Sequence, residues 1–216
     1  NVINKGITEQ HVLNAVELAA AAGMKNIKLY YMLGLPGEAD SDIEEMIAMI
    51  LRVREKMDAA LNRGELIISV NGFIPKPFTP FQWSPLCDVK TLKRRFKMLE
   101  SAFKKAKHIQ VQTESLKETV LQAVLARGDR RIGKALLEAF QRELPLKQVL
   151  KEQGLDLEKL ATTAYEIGGP LPWRHLDMGF SEVYLISEWQ KAQREEFTPM
   201  CFDLCRRCGV CGEVQA

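Results

Sequence analysis

Asn26-Ile27-Lys28-Leu29-Tyr30-Tyr31-Met32-Leu33-Gly34-Leu35-Pro36-Gly37-Glu38 is the stretch whose reading decides the fold. Apolar residues dominate from Ile27 to Leu33, as expected of a parallel strand covered on both faces. Pro36 presets one backbone angle of the turn that follows, and Gly34 and Gly37 allow a ligand or another backbone to approach closely. A helix start follows at Ala39-Asp40-Ser41-Asp42-Ile43. In α/β folds, ligands sit at the carboxyl ends of such strands. The turn either serves a ligand in that way or carries Gly and Pro for geometry alone.

Working outward, residues 8–23 read as a helix with Thr8 as N-cap. Val12, Leu13, Val16, Leu18 and Ala19 form its apolar face, and Gly23 is its stop. Asp40 or Ser41 caps a helix over 42–62, in which Ile43, Met46, Ile47, Ile50 and Leu51 recur at helical spacing, and Gly64 ends it. A second strand covers 65–71. The segment 72–83 contains Pro75, Pro77 and Pro80, which exclude helix and central strand. A basic helix over 88–107 and a short strand over 108–112 complete a βα alternation, the signature of a parallel sheet or barrel segment.

Beyond Thr113 only helices are expected, at about 115–126, 130–142, 146–153, 156–166 and 181–195, with a Pro/Gly-rich connector at 168–177. Three regions result: 1–113, a helical extension at 114–196, and a Cys-rich tail at 197–216. In the connector, His175 and Asp177 are either acid/base or outer-shell groups, or part of a structural turn anchored by Trp173.

A chain of 216 residues buries a real core, and a net charge of +2 argues neither for nor against nucleic acid. No run of about 18 apolar residues indicates a membrane span. The opening Asn1-Val2-Ile3-Asn4-Lys5-Gly6 has no leader pattern and no initiator Met, so a fragment of a cytoplasmic protein is expected.

Four of the five cysteines, Cys201, Cys205, Cys208 and Cys211, lie within eleven residues. Close-set cysteines in a chain of this type point to metal ligation rather than disulfides. Consecutive CxxC steps suit an iron–sulfur cubane; zinc, or a tail left unligated or completed by a partner, are the alternatives. Arg206 and Arg207 would offset thiolate charge. Cys87 stands alone and reads as a buried or idle thiol.

The turn Leu29–Glu38, followed by Ser69-Val70-Asn71-Gly72-Phe73-Ile74-Pro75-Lys76-Pro77, resembles the later part of radical S-adenosylmethionine (SAM) enzymes. The likeness is to the group that includes methylthiotransferases and cobalamin-binding-type radical SAM proteins. Residues 1–8 resemble the segment after that family's fourth barrel strand.

The resemblance implies the C-terminal part of a partial (β/α)6 barrel, then an all-α extension with a Cys-rich tail. It places Gly34, Leu35, Pro36, Gly37 and Glu38 against the adenosine of SAM, with the backbone of Met32 and Leu33 flanking the adenine and Glu38 bracing the turn. Glu38 is otherwise a carboxylate favoured by a helix N-terminus. Asn71 contacts cofactor or substrate, or else caps its strand. Lys76 is held near the rim or is simply solvated.

The family's CxxxCxxC loop, which holds a [4Fe–4S] cluster that cleaves SAM reductively, does not precede these strands. The resemblance therefore implies a primary cluster upstream, an auxiliary [4Fe–4S] cluster at the C-terminal cysteines, and a fragment inactive alone. Cobalamin is compatible with this reading but not inferable from it. Flavodoxin or ferredoxin would be the electron donor, and the substrate is RNA, protein or a small molecule.

The competing reading is a non-catalytic metal-binding module whose tail and basic helix dock a partner or RNA. Lys90, Lys93, Lys97 and Lys104 alternate with Leu92, Phe96, Leu99 and Phe103, which reads as basic residues spread around a solvated face. A one-sided stripe would instead favour RNA.

Overall fold

The structure is a computed structural model that describes residues 2–211. The chain divides into two compact units, one of residues 5–73 and 88–116, the other of residues 2–4, 74–87 and 117–211.

The first is an α/β unit: α1 (Glu9–Ala21), β1 (Ile27–Leu33), α2 (Asp40–Ala59), β2 (Leu66–Gly72), α3 (Val89–Phe103) and β3 (Ile109–Thr113). The strands form one parallel sheet in the order β1-β2-β3. This order and type of elements follow the sequence reading. Three strands do not close a barrel, and among the described residues no further strand joins them.

Thr8 caps α1 as expected, accepting the His11 N–H, while the His11 ring accepts the Thr8 N–H in return. At α2 the cap moves one residue upstream. Ala39 is the N-cap, and with no side-chain acceptor there, Asp42 reaches back to the Ala39 N–H at 2.7 Å. Gly64 is required by contact: a Cβ there would lie 1.8 Å from the Lys25 carbonyl oxygen.

Two expectations about burial are corrected. β1 is not covered on both faces. Strand partners in register share a face, and Leu33, Leu66, Ile68, Val70 and Ile109 are buried on one of them, which α3 crosses. The other face carries Lys28, Tyr30, Asn71, Gln110 and Gln112, all exposed. As the outer member of the sheet, β1 has one neighbouring strand, and Tyr30 remains 73% exposed.

Likewise Leu18 does not join the apolar face of α1, where Val16 is the buried residue, and Leu51 turns outward on α2. Leu18 follows Val16 by two residues and Leu51 follows Ile50 by one, steps of about 200° and 100° around the helix.

The second unit is helical: α4 (Leu116–Arg127), α5 (Arg130–Gln141), α6 (Leu146–Glu152), α7 (Leu157–Thr162) and α8 (Glu182–Gln193). The proline-rich segment 74–87 belongs to it. Trp83 and Leu86 are buried, the Trp83 carbonyl accepts the Tyr165 N–H at 2.9 Å, and the Leu86 N–H donates to Ala161 at 3.0 Å. Trp173 is buried too, its indole N–H donating to Gln82 at 2.9 Å, so the connector is anchored as a structural turn.

Helix α7 is shorter than its periodicity implies. Arg127, only 1% exposed, donates to the carbonyls of Ala161 at 2.6 Å and Thr163 at 2.8 Å, while Tyr165 turns away to pair with Trp83. Arg127 thus caps a helix C-terminus, where a cation is favoured. Tyr165 covers its guanidinium at 4.8 Å and donates its hydroxyl to the Arg127 carbonyl. Among the described residues no helix is long and apolar enough to cross a membrane.

Replacing Arg127 by Met removes the donor to the Thr163 carbonyl and one of the two donors to the Ala161 carbonyl, and is expected to cost about 2 kcal/mol. Urea unfolding monitored by tryptophan fluorescence measures it; an unchanged midpoint would show that the guanidinium does not hold α7.

Candidate functional site

The carboxyl end of β1 runs directly into the turn. Glu38 donates its N–H to the Leu35 carbonyl at 3.1 Å, which closes a four-residue turn with Pro36 and Gly37 in the middle. Gly37 has φ +84°, the conformation a type II turn needs at its third residue. No protein atom lies within 4 Å of a Cβ built on Gly37 beyond its chain neighbours, so within the protein it is backbone conformation, not close approach of another backbone, that demands glycine there.

Glu38 folds back over the turn it ends. One carboxylate oxygen accepts the Gly34 N–H at 2.7 Å and the Arg95 guanidinium at 2.7 Å. The two side chains are 6% and 7% exposed, and Arg95 also donates to the Glu38 backbone carbonyl and, at 3.3 Å, to Asp40. Arg94 pairs with Asp40 from outside. Glu38 is therefore a brace for the turn. Burial pushes its carboxyl above the usual range, against the opposing pull of the Gly34 N–H and the Arg95 charge.

Arg95 is the residue the sequence reading missed, since it was grouped with the basic helix. Its position was visible there: Leu92, Arg95, Phe96, Leu99 and Phe103 follow the helical repeat, and all five are buried.

The same end of the sheet holds the other rim residues. Met32 stands opposite Asn71 and Leu33 opposite Gly72, and the Phe73 N–H donates to the Leu33 carbonyl at 2.8 Å. Leu33 and Gly34 are buried, Met32, Leu35 and Pro36 half-buried, and Gly37 exposed. Asn71 is exposed, and its side chain has no hydrogen-bond partner among the described residues, so it does not cap the strand. Lys76 is exposed and falls in the helical unit, where its carbonyl accepts the Thr79 hydroxyl.

The cysteines lie after α8. Cys205 is buried, Cys208 half-buried, Cys201 and Cys211 exposed. Arg207 donates its Nε–H to Cys205 Sγ at 3.2 Å and ties the tail to the carbonyls of Pro199 and Met200. That hydrogen bond, with the Arg207 charge and the neighbouring Cys201 thiol, pulls the Cys205 thiol below its usual range. The Cys208 carbonyl accepts the Ser181 N–H, joining the tail to the start of α8. Among the described residues no three Cys, His, Asp or Glu side chains gather as a preformed metal-binding set. The donor chemistry fits a thiolate-bound metal, but these positions are not preorganised for one. His175 and Asp177 are exposed, and Asp177 accepts the Gly179 N–H at 2.8 Å as part of a turn.

Over 134 residues the chain is 38% identical to an uncharacterized protein of Methanocaldococcus jannaschii. The match takes in 62% of this chain but 28% of that protein, so the chain spans well under a third of its relative. No protein-family model and no solved structure matches the chain.

Arg95→Met leaves the Glu38 carboxyl buried without its cation, which costs roughly 3–5 kcal/mol. Losing the cation raises the folded-state pKa of Glu38 further above the unfolded value of about 4.3. The deficit should therefore grow as pH rises from the wild-type folded pKa toward the higher folded pKa of the variant and shrink on acidification. Urea titrations of the variant and wild type at a series of pH values measure this; a deficit independent of pH would show that Glu38 does not carry the charge.

Proposed function

We propose that this chain is part of a radical SAM enzyme, supplying a portion of the SAM-binding rim and, at its C-terminal cysteines, ligands for an auxiliary iron–sulfur cluster. The observation that carries the reading is the rigid turn at the carboxyl end of β1. Glycine geometry and a buried ion pair hold it beside an exposed, unbonded Asn71 on the same rim. Ligands of parallel α/β sheets bind at that end. The open face of the sheet, with Tyr30, Ser69 and Gln112 in register, fits a wall that a fuller (β/α)6 barrel would turn inward.

When bound, SAM and an upstream [4Fe–4S] cluster would supply a carbon radical for hydrogen abstraction. The residues of this chain bind and orient. The turn backbone from Gly34 to Gly37 presents its peptide groups at the rim, Glu38 and Arg95 keep that backbone from relaxing, and Asn71 offers an amide to a polar ligand group. Preorganisation of this kind lowers the ordering cost of binding. At the tail, Cys201, Cys205, Cys208 and Cys211 would be the cluster ligands, with Arg207 favouring the thiolate at Cys205. Because these sulfurs are not gathered beforehand, metal binding would order the tail.

Iron, acid-labile sulfide and zinc are to be measured in anaerobically purified protein beside Cys205→Ala. About four irons and four sulfides per chain are expected, lost in the variant; one zinc without sulfide would overturn the auxiliary cluster. For the rim, a SAM titration followed by amide NMR should shift Gly34, Gly37, Glu38 and Asn71, and Gly37→Ala should weaken it, since φ +84° is strained for alanine. Shifts confined to other residues would overturn the rim.

A further inference from the structure

Helix α3 does not carry its charges all round. At 3.6 residues per turn, Lys90, Lys93, Arg94, Lys97 and Lys104 fall within an arc of about 100°. Leu92, Phe96, Leu99 and Phe103 are buried on the opposite side. The expectation of a spread, solvated face is therefore corrected: the basic residues form a single stripe, about 21 Å long from Lys90 to Lys104. All five are exposed. Arg94 is neutralised by Asp40, but among the described residues no carboxylate pairs with Lys90, Lys93, Lys97 or Lys104, nor with Lys105 and Lys107 just beyond. The one acidic residue of the helix, Glu100, lies on the flank and accepts the Thr113 hydroxyl.

This arrangement works against the helix itself. Lys90 sits in the first turn, where the helix dipole favours an anion, and the N-cap Asp88, which accepts the Thr91 N–H, is the carboxylate beside it. Lys90 faces Lys93 and Arg94, and Lys93 faces Lys97, at the three- and four-residue spacings where like charges repel. A surface serving only solubility mixes both signs and avoids these pairs. Local rules broken without a local gain mark functional sites.

We infer that this stripe docks a nucleic acid by its phosphate backbone. The chemistry separates this partner from the two others a cationic helix can meet. An interfacial membrane helix offers an apolar face to the lipid, and here that face is core: Leu92 and Leu99 are fully buried. Protein interfaces are depleted in lysine and centred on aromatic, Met or Arg anchors, and this stripe has none unpaired. Evenly spaced lysines without base-reading Asn, Gln or free Arg contact phosphates and carry no sequence preference. The inference stands on α3 alone and is independent of the SAM reading.

The test is binding of a short, mixed-sequence, fluorescent single-stranded RNA to the whole chain between about 50 and 200 mM salt. Wild type is compared with Lys90→Glu/Lys93→Glu/Lys97→Glu. A second triple variant, Lys117→Glu/Lys134→Glu/Lys147→Glu, reverses as many exposed lysines on α4, α5 and α6. The stripe variant should bind at least tenfold more weakly at the lowest salt, with the slope of log affinity against log salt reduced by about two. The second variant should bind like wild type. The three lysines are exposed and take part in no ion pair among the described residues, so thermal melting should show the stripe variant folded with a midpoint close to wild type, which separates lost docking from lost folding. Equal weakening in both variants would mean a net-charge effect and overturn the inference. So would salt-independent binding, or binding to phosphatidylserine vesicles in place of RNA.

Discussion

The buried pair between Glu38 and Arg95 is the constraint on which the rim depends. It joins the turn after β1 to the helix after β2, two segments 57 residues apart, and both charges are almost wholly withdrawn from water. A buried ion pair gives little net stability, because desolvation offsets most of the attraction. Its value here is positional. A carboxylate that must accept both Gly34 N–H and Arg95 has one place to sit, so the turn cannot drift relative to the sheet. Hydrophobic residues of the same volume would bury as much surface and leave that backbone free to settle in several ways.

Around this pair, α3 has two separate duties. Its inner side contributes Arg95 with Leu92, Phe96, Leu99 and Phe103 to the unit's core. Its outer side carries a row of lysines, of which Lys93, Lys97 and Lys104 have no ion-pair partner among the described residues. The inner duty explains why the helix exists at all, since amphipathic packing outweighs the repulsion among lysines. It does not explain the lysines. A helix anchored so firmly on one side can tolerate an uncompensated charge row on the other, and that is how a stable scaffold can present a costly surface.

The helical unit solves a different problem, the satisfaction of backbone groups in short helices. α7 has only six residues, and Arg127 supplies donors to the carbonyls of Ala161 and of the C-cap Thr163 at its end. Segment 74–87, barred by its prolines from any regular element, supplies the remaining partners through Trp83, Leu86 and Gln82. Proline-rich backbone is usually left at the surface; here it is part of the core.

The sequence by itself determined the order of helices and strands in both units, the Pro-Gly turn after β1, and the close spacing of the four cysteines. These are properties of neighbouring residues: a repeat of 3.6 or 2, a φ only glycine adopts readily, a short loop. It also held the clue to Arg95, in the repeat shared with Leu92 and Leu99. Tertiary structure decided which guanidinium meets Glu38, that α7 stops at Thr162, and that β1 is covered on one face only. It also decided that segment 74–87 joins the helices, whereas the one-sided row of lysines on α3 was already held in the 3.6-residue repeat. Each of these tertiary outcomes depends on which elements come together across long stretches of chain. Local periodicity records how a residue relates to its helix or strand, and it is silent on what the packed chain brings opposite that residue.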